Sequence, residues 1–480
     1  MSRAKQGGIG INFIDNDLQK EISTGRALTS ADNGYTIFLT NTVAMNLTID
    51  SGLPDNFECN FIQKGIGTTT FIDGTATVVA PDGFVLINGI GNVCALIKRL
   101  AVDELFLVGE LEAPFVQGGG FNSLCNGVGL QSDGKIVCVG NFTDYDGTTV
   151  YSIARLNTDG SVDNSFIYGV GFATTGISGC TIYPDDDDTI VFGWFSTFND
   201  LAQVGMVKLN KADGSKNTNF VVKTFTALGN IYGVEVDTNG DLIVIGQFTG
   251  YDGNSSNRIV KINIDGTYDS SLDVGTGFPQ NPAVIKIQDD GKILVGGDFI
   301  TYDGNAAVRI VRLNANGSID TDFATNIGTG ANDTVKAIAF QDDNKIVIGG
   351  DFTTFDSNAS KNICRLNADG SFDNTFIVGS GISNGVLDIV IEANQNIVAA
   401  GSFGQYDGEL VGRICRVSPN GSLDFNFPDG TGFSVSQNVQ QIIVLPSKRL
   451  VCVGSFSGYN ELGYKRLCIL NPDGSPHSSL

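Results

Sequence analysis

Catalysis needs nucleophilic or proton-transferring side chains held in fixed relation, and this 480-residue sequence is sparing with them. Its one histidine, His477, stands in the closing run Pro476-His477-Ser478-Ser479-Leu480, where chain ends usually keep no fixed geometry. Ser-His-Asp triads, Cys-His dyads and histidine-based metal sites are therefore excluded. The nine cysteines are odd in number and contain no Cys-x-x-Cys pair. They read as free buried thiols rather than a disulfide framework or a zinc site. Carboxylates remain. Asp298 and Asp351 stand in equivalent places and could hold a cation through hard oxygen ligands, or simply be solvated. The run Asp185-Asp186-Asp187-Asp188 reads as a solvated hairpin loop. Loops such as Tyr145-Asp146-Gly147 and Tyr302-Asp303-Gly304 read as turns, because no 12-residue calcium loop surrounds them. The only tryptophan, Trp194, occupies a slot that is polar elsewhere. It is a candidate stacking platform for a sugar or a partner side chain, with packing between repeats as the plain structural reading. No enzyme activity, cofactor or metal is expected from this inventory.

Charge narrows the partners. Lys and Arg number 29 against 52 Asp and Glu, a net charge of −23. A phosphate backbone or an anionic leaflet would be repelled, so neither nucleic acid nor membrane insertion is expected. No apolar run is long enough to span a bilayer, and the first residues lack the apolar core of a signal peptide. Sixty-two glycines against eleven prolines, with many Val, Ile, Phe and Thr, favour short strands joined by tight turns, an all-β chain.

A repeat organises most of it. An apolar run ends in Gly-x-Phe at Phe142, Phe195, Phe248, Phe299, Phe352, Phe403 and Phe456, separated by 51 or 53 residues. Each copy holds an Asp-Gly or Asn-Gly hairpin signal, a strand such as Lys135 to Gly140, a Tyr-Asp-Gly type loop, and a second strand such as Ser152 to Asn157. With an apolar stretch before and a Phe-initiated stretch after, each copy suggests four strands, one propeller blade. Seven copies predict seven blades. An additional copy of the last element, with Glu112, Phe115 and Phe121, precedes the first repeat, while the chain stops where the seventh such element should begin. This N-terminal strand is expected to complete the last blade and close the ring. Cys138 and Cys452 share a column with Val191 and Val244, and Cys364, Cys415 and Cys468 share one with Ala154 and Val207, so they are read as small buried hydrophobes. The column Arg155, Lys208, Lys261, Arg312, Arg365, Arg416 recurs with Asp163, Asp269, Asp320, Asp373 and Asp424, which predicts a repeated ion pair between neighbouring strands.

The unit Leu-Asn-x-Asp-Gly-Ser-x-Asp with Gly-x-Phe-x-x-Tyr-Asp-Gly resembles the bacterial and phage propeller repeats of the delta-sixty type, from about residue 112 to the end. The resemblance implies a propeller and brings no catalytic motif. Residues 27–111 hold eight short apparent strands, which suit a small sandwich or barrel. With Thr29-Ser30-Ala31-Asp32-Asn33-Gly34 at the start, Phe61-Ile62-Gln63-Lys64-Gly65 in the middle and Asp103 to Gly109 at the close, this part resembles a β-domain of bacteriophage tail and fibre proteins. Phe106 stands where such domains usually carry Trp. Residues 1–26 read as an N-terminal arm.

The expected organisation is thus an arm (1–26), a β-sandwich or barrel (27–111) and a seven-bladed propeller (112–480). The resemblance implies a non-enzymatic virion structural protein, assembled in the host cytoplasm, with the propeller as an adhesion or assembly module. Its expected partners are other virion proteins and a host receptor or glycan, and a homo-oligomer is compatible with the sequence. Two alternatives stand beside it: a bacterial surface or periplasmic ligand-binding propeller, and a carboxylate-dependent glycan hydrolase.

Overall fold

The structure, a computed structural model, describes residues 118–166, 169–172, 176–427, 431–434 and 437–477 in full, and ten strands of backbone between residues 19 and 108. The chain divides into two compact units, whose main parts are Met1–Phe115 and Val116–His477. Glu112 and Phe115 lie outside the described residues.

In the first unit successive strands alternate between two sheets. Gln19–Ile22, Thr36–Leu39 and Glu58–Gln63 pair in parallel in one, and Arg26–Ala27, Met45–Ile49 and Thr69–Asp73 pair in parallel in the other. Each parallel neighbour is thus reached by way of a strand of the other sheet, which supplies the crossover that parallel pairing requires. Val93–Arg99 and Glu104–Val108 continue the first sheet as an antiparallel pair, and Thr77–Val79 pairs in parallel with the latter at its edge. Two strands, Gln19–Ile22 and Arg26–Ala27, fall in or at the edge of the segment read as an arm.

Among the described residues the second unit contains seven main antiparallel sheets, one per repeat, six smaller hairpin sheets and a single short helix. In repeat 1 the strands are Cys125–Leu130, Ile136–Gly140 and Ile153–Leu156; in repeat 7 they are Val439–Val444, Leu450–Gly454 and Leu467–Leu470. The second strand is buried at every residue in all seven repeats. It lies between two strands of its own sheet and between neighbouring sheets, hence its unbroken apolar sequence. First strands of consecutive repeats lie side by side, and that of repeat 7 lies beside that of repeat 1.

The expected fourth strand is a correction. What pairs with the third strand lies before the Phe position expected to open it, and is in six repeats one bridge, such as Leu156 to Val162 or Leu470 to Pro476, and in repeat 3 a two-residue strand, Tyr268–Asp269. Where an acidic residue stands three before the Phe, its side chain turns the chain at that point. The Asp163 carboxylate accepts from Ser165 N–H at 2.9 Å and Asp373 from Thr375 N–H at 2.9 Å, and these Asx turns fold the chain back instead of extending it. In repeat 4 Asp320 instead caps the helix Thr321–Asn326.

The cysteine columns face each other. Cys138 pairs with Ala154, Ile348 with Cys364, Ala399 with Cys415 and Cys452 with Cys468. All seven described thiols are free and buried.

Candidate functional site

Two ends of the ring differ in chemistry. At one end the Gly-x-Phe segments turn out of the second strands. Their phenylalanines are core: Phe142, Phe299, Phe352, Phe403 and Phe456 are completely buried. The Phe299 ring lies tilted against Phe278 at 4.5 Å between ring centroids, and Phe278 tilted against Tyr302 at 4.8 Å. The middle residue of each segment points elsewhere. Its N–H donates to a carbonyl beside the first strand, Trp194 to Gly176 at 2.7 Å, Asp298 to Asn281 at 2.9 Å and Asp351 to Thr334 at 3.0 Å, so this column circles the mouth where the first strands begin. Trp194 is 63% exposed, on the surface and not packed between repeats. Asp298 and Asp351 each meet a cation of their own chain, Asp298 the Arg309 guanidinium and Asp351 the Lys336 ammonium at 2.6 Å. No group of three or more His, Cys, Asp or Glu fit for a metal exists among the described residues.

The Tyr-Asp-Gly segments form turns at the same end. Their aspartates take left-handed backbone, Asp146 at φ 49°, Asp303 at 44° and Asp407 at 48°, a conformation Asp and Asn tolerate. The carboxylates accept N–H bonds from the loop ahead of the first strand, as from Thr276 to Asp303 at 2.8 Å and from Ser380 to Asp407 at 2.7 Å. The tyrosines are buried and reach to the far end of their own sheet, Tyr302 O–H donating to the Gly317 carbonyl at 2.9 Å and Tyr251 to Gly266 at 2.6 Å.

Consecutive repeats are stitched by a backbone bond from the residue after a Gly-x-Gly bend. Phe278 N–H donates to Asn257 at 3.1 Å, Ile382 to Lys361 at 3.0 Å and Phe433 to Gly412 at 2.8 Å. Phe121 N–H makes the same bond to Lys465 at 3.1 Å, from the first repeat to the last. A second closure bond runs from Val128 N–H to Gln441 Oε1 at 2.8 Å. Of the residues assigned to closure from sequence, Phe121 is the one the structure describes. It sits fully buried, stacked at 4.1 Å on Phe142.

The opposite end holds the ion pairs. Arg155 meets Asp163 at 2.8 Å, Arg312 meets Asp320 at 2.9 Å, Arg365 meets Asp373 at 2.8 Å and Arg416 meets Asp424 at 2.8 Å. Each guanidinium also lies over the repeat's phenylalanine, as Arg312 over Phe323 at 4.3 Å. Each then reaches a carbonyl of the next repeat, Arg312 to Ala368 at 2.6 Å and Arg365 to Pro419. Burial works against the Asp163 charge, yet hydrogen bonds from Lys135 and Ser165 and the Arg155 guanidinium hold its carboxyl well below the usual carboxylate range. These clusters, and the open hollow of about 560 Å³ that Arg155, Lys135, Asp186 and Lys211 line, have every cation opposite an anion. They are fastenings between repeats.

One carboxyl of the ring differs from the rest. Desolvation raises Asp388 to about 6, although Ile442 and Ile389 N–H groups and the Lys286 charge oppose the rise. Its partners are backbone amides at 2.8 and 2.9 Å, so it links the first strands of repeats 6 and 7. The sequence offered no sign of this, since its column holds Gly127, Gly179, Gly233, Val284, Ala337 and Gln441.

A family model described as "Domain of unknown function (DUF5122) beta-propeller" matches residues 131–166, 238–272, 288–323, 341–376 and 395–427, each within one repeat. The second unit is a β-propeller. Solved structures similar to the chain include the extracellular domains of two B. thetaiotaomicron proteins, BT4673 (12% identity, TM-score 0.43) and BT3049 (14%, 0.45), over 73% and 80% of this chain and 40% and 42% of theirs. The WD40 β-propeller domain of Doa1 is similar at 15% identity and TM-score 0.46, over 70% of this chain and 90% of that one. The chain therefore spans about two fifths of the length of the first two. No curated protein matches the sequence.

Proposed function

We propose that this protein is a non-enzymatic structural component of a bacteriophage virion, in a tail fibre, baseplate or capsid appendage. The N-terminal unit attaches to the particle, and the propeller, seven-bladed and closed through Phe121, is displayed as an adhesion or assembly module. The attachment half rests on the likeness of residues 27–111 to phage tail and fibre domains. The observation that carries the display half is a contrast inside the propeller. Buried phenylalanines, tyrosine pegs and ion pairs recur around the ring as framework, while the loop end of repeats 1 and 2 departs from the others and exposes Trp194. Rigid scaffolds with variable loops are built for recognition. Its partners are other virion proteins and a polar or cationic surface group of the host, glycan or protein, approached through an acidic field that salt screens.

Adding an excess of residues 1–112 during assembly should lower incorporation of the full-length chain into particles, and residues 112–480 should not. Competition by the propeller alone would reverse anchor and display module. Recovery of the protein from a bacterial surface or periplasm, with none in any particle, would replace this reading by the ligand-binding propeller.

A further inference from the structure

In repeats 3 to 7 one of the two residues before the third strand is cationic: Arg258, Arg309, Lys361, Arg413, and in repeat 7 both Lys465 and Arg466. Repeats 1 and 2 break this rule, with Tyr151-Ser152 and Val204-Gly205. Here the surface is apolar. Tyr151 is 42% exposed, Val170 52%, Trp194 63%, Leu201 67% and Val204 47%. Backbone bonds draw these five together. Gly193 N–H to Gly205 at 2.9 Å and Gly205 N–H to Phe195 at 3.0 Å set Val204 beside Trp194, and Asn199 N–H to Gly171 at 2.8 Å sets the Leu201 hairpin against the loop of Val170. Gly171 in turn lies on the Tyr151 carbonyl. The charges within the two hairpins, residues 141–152 and 194–205, are Asp144, Asp146 and Asp200, with no Lys or Arg. Exposed apolar residues gathered on hairpins whose own charges are acidic mark an interaction surface; Lys216, which reaches the second hairpin from outside, donates to Gln203 Oε1 at 2.6 Å, and the chemistry of the hairpins names the complement.

We propose that this sector binds a polypeptide segment carrying interleaved apolar and cationic side chains, with Trp194 as central anchor, an inference that rests on the display role above. Apolar side chains of the partner cover Leu201, Val204 and Val170. Its Lys or Arg groups meet the three carboxylates and the indole face, which attracts cations through its quadrupole. Tryptophan and tyrosine are the residue types that carry most interface energy when desolvated. The other five repeats carry a cation at the matching place and no indole, so one segment docks per ring at a fixed position.

Trp194 is the only tryptophan, so its fluorescence in the full-length protein reports on this patch alone. The probes are a synthetic peptide of alternating leucine and lysine, a serine-lysine peptide of equal charge, and a neutral maltooligosaccharide. The free protein should show the emission of a water-exposed indole, and the leucine-lysine peptide should shift it saturably. Leu201→Ser should weaken that binding by at least about tenfold, and Leu410→Ser, 84% exposed in repeat 6, should leave it unchanged. Equal binding of the serine-lysine peptide, equal loss in both variants, no response, or buried-indole emission in the free protein would each overturn the proposal. So would a saturable response to the oligosaccharide without one to the peptide, which would make this a glycan site. Failure here leaves particle incorporation as found, and failure of incorporation leaves the Trp194 response as found.

Discussion

Replacing Phe299 by Ala tests whether the Gly-x-Phe column is the packing that holds repeats together. Phe299 has no exposed surface and lies 4.5 Å from Phe278, within a buried cluster that includes Tyr302, Val295 and Ile285. Removing the ring deletes its apolar burial and leaves a cavity among second-strand and hairpin residues that are pinned by backbone bonds such as Arg309 N–H to the Phe299 carbonyl at 2.8 Å. Little collapse is open to such a site, so the cost belongs near the upper part of the range for Phe→Ala, about 3 to 5 kcal/mol. Lost contact with the tilted Phe278 ring is worth about 1 kcal/mol of this. Urea unfolding of the two proteins, followed by far-UV circular dichroism with a common slope, gives the difference directly. Trp194→Ala, a similar truncation one residue before Phe195, removes a mostly exposed side chain and should cost under about 1 kcal/mol. A cost below about 1 kcal/mol for Phe299→Ala would put the column on the surface and refute the packing argument.

Burial sets the worth of the carboxylates. Asp373→Ala strands the buried Arg365 guanidinium and should cost about 3 to 5 kcal/mol in the same unfolding assay, whereas Asp298→Ala breaks an exposed pair and should cost no more than about 1 kcal/mol; equal costs would contradict the assignment of framework and surface. Asp163, Asp320 and Asp373 are held below the usual carboxylate range, so the folded state binds fewer protons than the unfolded one near pH 4 and stability should fall on acidification through that region. Asp388 has the opposite sign, because burial raises it to about 6 and the folded state protonates first. The stability of the natural protein relative to Asp388→Asn should therefore grow from pH 7 to pH 5, and a shrinking difference in thermal or urea unfolding would show an ionised, solvated carboxyl. Burial pushes the thiols of Cys364 and Cys468 well above their ordinary value, so they should resist a thiol-specific disulfide reagent at pH 8 until the protein is denatured; rapid modification of these two peptides by mass spectrometry would contradict the packing of the facing columns.

Much of the framework was legible because it repeats. Phe142 to Phe456, the ion-pair column and the cysteine slots recur every 51 or 53 residues, and one physical reading of one repeat carried to the others. What the repeat hid was geometry that depends on two strands at once. Asp163 looked like a marker before a strand, and its side chain instead takes the Ser165 N–H and ends extension. Trp194 and Phe195 are adjacent aromatic residues in sequence, yet only their opposite orientation makes one surface and the other core. The missing cations of repeats 1 and 2 were present in the sequence as Tyr151 and Val204. They acquire meaning only once the hairpins place them beside Trp194. Asp388 could not be found from its column of uncharged residues, because its role comes from a neighbouring first strand 54 residues away.

The central claim is that the protein is a displayed part of a virion. Cryo-electron microscopy of particles purified from the source, with mass spectrometry of the same sample, tests it most directly. The account predicts the protein among the particle's components, with the N-terminal unit against the particle body and a seven-fold pseudo-symmetric ring projecting from it. Particles that lack the protein, or in which the ring itself is the buried attachment and the N-terminal unit projects, would contradict it.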